Sequence, residues 1–115
     1  MKINVSQKDI DKGVRGDGNK CPIALSIKRA FKNDNVKVYY QTSEDEDVRD
    51  LRIRVDNIYY SQKEIDKYEH LDNFIHWFDD ALYTDCEPFK FNIDTSLWEN
   101  IGSYIKTRTS MKLLK

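Results

Sequence analysis

Three pairs of polar side chains stand at alternate-residue spacing in this chain: Arg52 and Arg54, Asn92 and Asp94, and Lys106 and Arg108. On an extended backbone that spacing lets both members of a pair point the same way. Brought together, they offer guanidinium and ammonium groups for a phosphate, a carboxylate for ribose hydroxyls and an amide for a base edge, with Trp98 nearby in sequence as a stacking ring. That is nucleotide-binding chemistry. The plainer reading is that outward polar residues on strands simply face water.

A second feature is the run from Gly13 to Leu25, in which Gly13, Gly16 and Gly18 precede Cys21-Pro22. Glycines permit sharp turns and close chain approaches, and Pro22 suits the first position of a helix, where a missing N–H costs nothing. Exposed amides at such an entrance suit an anion or another chain. Cys21 at this helix start reads either as a thiol of lowered pKa or as a buried small residue. An enzyme reading finds little support: His70 and His76 are six residues apart and so do not stack on one helix face, and no nucleophile accompanies them. Asp79-Asp80 and the acidic run Glu44 to Asp47 lack calcium-loop spacing, and Cys21 and Cys86 with two histidines give no zinc pattern. No metal or cofactor is expected.

These groups must be positioned by a chain of 115 residues, enough for one domain, 1–115. Nineteen basic and twenty acidic residues leave a net charge of −1, so no global field draws the protein to long nucleic acid or to an anionic membrane. Local basic pairs on a neutral protein suit a small anion better than a polyanion. No long apolar run or signal-peptide pattern occurs, and two distant cysteines agree with a reducing, cytoplasmic setting. With seven Tyr, five Phe and two Trp, some rings are expected at the surface, as in subunit interfaces or stacking sites.

Periodicity predicts the elements. Lys2 to Val5 alternates as a strand, Ser6 caps a short helical turn through Lys12, and Pro22 to Phe31 carries apolar residues at helical spacing. Val36 to Tyr40 and Leu51 to Val55 read as strands, the second with both arginines opposite its apolar face. Ser61-x-x-Glu64 has capping-box spacing and predicts a long helix behind it, with Ile65, Tyr68, Leu71, Phe74, Ile75, Phe78 and Leu82 on one stripe. Phe89 to Asp94 alternates again, and the tail from Thr95 reads as either a short helix or an extended segment. The expected class is α+β, a mostly antiparallel sheet packed against two main helices.

The signature Gly13-x-Arg15-Gly16-Asp17-x-x-x-Cys21-Pro22-Ile23-Ala24-Leu25, with Phe74-Ile75-x-x-Phe78-Asp79 and Pro88-Phe89-x-Phe91, resembles a widespread group of small bacteriophage proteins over residues 2 to 94. The chain also resembles the phage anti-Thoeris family of signal sponges, non-catalytic oligomers that sequester cyclic ADP-ribose isomers made by bacterial TIR-domain proteins. Some members hold cyclic oligonucleotides at a separate site. The resemblance implies a homo-oligomer in the host cytoplasm that traps its ligand at a subunit boundary, through a sheet and the C-terminal segment. Asn92, Asp94, Lys106 and Arg108 look like the family's ligand contacts, with Arg29 and Trp98 as further candidates. The alternative from a different class is a protein–protein inhibitor or adaptor acting on a host defence factor, for which the acidic run and the aromatics would provide the surface.

Overall fold

Strict alternation decides the first strand: β1 (Lys2–Val5) buries Ile3 and Val5 and exposes Lys2 and Asn4. The structure, a computed structural model, describes residues 1–42, 49–82 and 86–96. After β1 come α1 (Gln7–Lys12), α2 (Pro22–Phe31), β2 (Val36–Thr42), β3 (Arg49–Val55), β4 (Ile58–Tyr60), α3 (Tyr68–Asp79) and β5 (Phe89–Asn92). Among the described residues all strand pairs are antiparallel, and they form two sheets, β1-β5 and β2-β3-β4. The class is α+β, as the periodicity predicts. The acidic run Glu44 to Asp47 and the tail beyond Ser96 lie outside the described residues.

One buried cluster joins both sheets to the helices. It takes Ile3, Val5 and Phe91 from the two-stranded sheet, Leu51, Ile53 and Val55 from the three-stranded one, Ile23 and Ile27 from α2, and Leu71, Phe74 and Phe78 from α3. A two-stranded sheet such as β1-β5 is marginal alone, so this shared apolar contact holds it in place. Strand edges are closed by other means. The Asn4 carbonyl accepts from Arg29 at 2.7 Å, and the Val38 amide donates to the Gly18 carbonyl at 2.8 Å.

The long helix begins later than the capping-box spacing predicts. Ser61 N and Oγ do donate to Glu64 Oε2, at 3.0 and 2.8 Å, but this box closes a turn and not a helix. Behind it Ile65 forms a β-bridge with Ile93, and the Asp66 carboxylate accepts from Asn92 N at 2.5 Å. Those ties hold residues 65–66 against β5. Lys67 then takes a left-handed conformation, φ 52°, and α3 starts at Tyr68. Leu82 falls beyond the helix and is 47% exposed, so it leaves the predicted stripe. β4 is an element that the periodicity does not reveal.

Candidate functional site

The glycine-rich loop is latched to the end of α3. Arg15 donates from Nε and Nη2 to the Asp79 carbonyl at 3.0 and 2.7 Å, and the Gly16 amide donates to Asp79 Oδ1 at 3.0 Å. A guanidinium there also meets the negative end of the helix dipole. Gly16 has φ 68°, and a Cβ at Gly18 would overlap the Val38 carbonyl oxygen, so each of these two glycines has a definite backbone reason. Asn19, Lys20 and Cys21 donate their amides to Asp17. The amides of Gly16, Asn19, Lys20 and Cys21 are therefore spent within the chain, those of Gly16 and Asn19 on carboxylates. Arg15-Gly16 and Asp79 belong to two separate sequence motifs, and their contact gives both a structural reason.

Cys21 resolves the two readings of its thiol in favour of the buried one. Its Sγ accepts from Ala24 N at 3.4 Å as the cap of α2, and burial pushes its pKa up to about 11. Such a thiol is a poor nucleophile. On α3, Asp72 accepts from the Tyr40 hydroxyl at 2.5 Å, and His76 Nε2 lies 3.4 Å from the same oxygen, with the two rings stacked at 5.7 Å. This set ties α3 to β2. Burial and the Asp72 carboxylate keep Tyr40 protonated and therefore a donor. His70 packs edge-on against Phe89 at 4.6 Å. Among the described residues no three His, Cys, Asp or Glu side chains gather as a metal site, and no helix is long and apolar enough to cross a membrane.

The outer face of the three-stranded sheet differs in kind. Register places Tyr39 opposite Arg52, and Arg54 between Lys37 and Tyr59. Directly paired residues share a face, so three cations and two tyrosines line this side, while Leu51, Ile53 and Val55 point into the core. The Arg52 and Arg54 rungs are about 7 Å apart. Lys37 Nζ stands 5.8 Å from the Tyr39 ring centroid, and Tyr59 is 46% exposed. Arg52 Nε and Arg54 Nε are both buried, and neither has a hydrogen-bond partner among the described residues. Arg52 has a loose ionic neighbour in Asp50, at 4.0 Å. Past the end of β4 a recess of about 190 Å³ opens, lined by Asp50, Arg52, Ser61, Gln62, Lys63 and Tyr68.

The residues singled out from sequence fall in several places. Arg29 is bound to Asp9 through two contacts of 2.7 Å and to the Asn4 carbonyl, joining α2, α1 and β1. Burial disfavours the Asp9 charge, but hydrogen bonds from Arg29 and Ser6 outweigh it and hold this carboxyl below the ordinary carboxylate range. Asn92 donates from Nδ2 to Asp66 at 3.1 Å, and Asp94 accepts from Ser96 N and Oγ at 3.0 and 2.6 Å, both on the exposed side of the β1-β5 sheet. Trp98, Lys106 and Arg108 lie outside the described residues. The Arg52 and Arg54 pair was legible from alternation. Lys37, Tyr39 and Tyr59 became visible as its partners only through strand register. Comparison with protein-family models, curated proteins and solved structures finds no match for this chain.

Proposed function

We propose that the protein is a non-catalytic binder that sequesters a small phosphate-bearing nucleotide signal, of the cyclic ADP-ribose type, and so blunts an antiviral response of the host cell. The reading is carried by the outer face of β2-β3-β4, where the Arg52 and Arg54 guanidinium groups, whose Nε atoms have no acceptor among the described residues, stand beside Lys37 and two tyrosines. The partly exposed guanidinium groups can meet phosphate oxygens in charge-assisted hydrogen bonds. Tyr39 and Tyr59 supply rings on which a base can stack. The phage-type motifs support the setting.

A sponge must hold its signal well below the working concentration of that signal. Nanomolar affinity corresponds to about −12 kcal/mol, and charge-assisted hydrogen bonds of roughly 1.5–3 kcal/mol each approach it when several form on a preorganised sheet. Calorimetric titration with a cyclic ADP-ribose isomer, followed by heat release and mass measurement, tests the proposal. Stoichiometric binding and recovery of the intact molecule are expected. Absence of binding, or recovery of a cleaved product, would overturn it. Lys106→Ala and Arg108→Ala, titrated in parallel, show whether the C-terminal cations add to the affinity.

A further inference from the structure

We infer that the recess beside Arg52 is a ribose-phosphate subsite, which fixes the direction in which a nucleotide lies along β3; this rests on reading the sheet face as a nucleotide surface. The recess combines donors and one carboxylate in an arrangement that a bare phosphate would use only in part. Arg52 lines the recess with a guanidinium whose side chain is 32% exposed, and exposed Lys63 brings an ammonium from the turn after β4. Gln62 adds a neutral amide. Tyr68 accepts from Leu51 N at 2.7 Å through its hydroxyl oxygen, which leaves the phenolic proton to donate into the recess. Burial raises the Tyr68 pKa, so that proton is retained at neutral pH.

Asp50 is the complementary group. Its carboxylate only accepts, stands 4.0 Å from Arg52 and is half-exposed, so the ion pair is loose enough to yield to a ligand. A phosphate alone would be repelled by this carboxylate. A sugar phosphate would instead give its phosphate to Arg52, Lys63 and Tyr68, and its hydroxyls to Asp50. With the sugar phosphate placed there, the base extends along the strand toward the Arg54 rung, where Tyr59 stands opposite. The ligand class is thus a ribonucleotide, in preference to a deoxyribonucleotide or an inorganic anion.

Titrating the full chain with ribose 5-phosphate, 2-deoxyribose 5-phosphate and inorganic phosphate, while following the Gln62 and Lys63 amide resonances, tests this. Ribose 5-phosphate should bind about tenfold more tightly than either other probe. Asp50→Ala should bring the ribose and deoxyribose affinities together, and Lys63→Glu should weaken both by about tenfold. Both side chains are exposed, and an unchanged thermal midpoint checks that each variant is folded. If a cyclic ADP-ribose isomer binds but the three probes bind equally or not at all, the subsite is overturned and the sheet-face reading stands. If the nucleotide fails as well, both fall.

Discussion

The glycine loop and the outer sheet face both present arginines, yet they spend them in opposite ways. At the loop, Arg15 places two N–H groups on one carbonyl of α3 and the Gly16 amide donates to the carboxylate of the same residue, so these donors are spent within the chain. On the sheet, Arg52 and Arg54 keep buried Nε–H groups with no acceptor among the described residues. A positive charge in a sequence therefore says little about availability. Hydrogen-bond accounting separates a structural arginine from one that can take a ligand.

Five variants press on that contrast. The largest effect is expected for Gly18→Ala, because its Cβ would meet the Val38 carbonyl oxygen; a loss of about 3 kcal/mol or more in chemical denaturation is predicted. Gly16→Ala is the control, with open space but φ 68°, and should cost about 1–2 kcal/mol. Next comes Arg29→Met, which strands a buried Asp9; because the Arg29 side chain is 53% exposed, the expected loss is about 2–4 kcal/mol, short of a fully buried pair. The lowered Asp9 pKa also has a sign. Its stabilisation is complete above the unfolded carboxylate value of about 4 and is lost as pH falls through the folded value, so the acid limb of stability against pH should flatten in this variant.

Asp79→Ala removes the acceptor of the Gly16 amide and leaves the carbonyl that holds Arg15, for a loss of about 1 kcal/mol with nucleotide affinity unchanged. A large fall in affinity would mean that the loop and not the sheet is the site. Arg52→Met should change stability least, within about 0.5 kcal/mol, because among the described residues it breaks no hydrogen bond at Nε. It should nevertheless weaken nucleotide binding by about tenfold or more in calorimetry. Unchanged affinity together with unchanged stability would reduce the arginine face to a solvated one.

Alternation made β1, β3 and β5 legible, since each has one buried face and a period of two is hard to mimic. The helix beginning at Pro22 was equally plain, with Pro at its start and apolar residues at helical spacing. The start of α3 was not. Ser61-x-x-Glu64 carries a true local signal, and the box forms, but a bridge between Ile65 and Ile93 overrides helix propagation by a contact across the chain. β4 escaped because three residues, Ile58 to Tyr60, are too few to show a period; its reality depends on pairing with β3. For the candidate site, Arg52 and Arg54 were legible as a pair pointing one way. Lys37, Tyr39 and Tyr59 come from other strands, and pairing register is a property of the fold. The role of Arg29 failed to show for the same reason: its partner Asp9 lies twenty residues earlier, on another helix.

The bond from the Val38 amide to the Gly18 carbonyl turns one backbone proton into a gauge. While the loop is seated, that proton is shielded from solvent; each excursion of the loop releases it to exchange with deuterium. Its exchange rate, followed with and without nucleotide, would report directly whether occupancy of the far side of β2 stiffens the glycine segment across the strand.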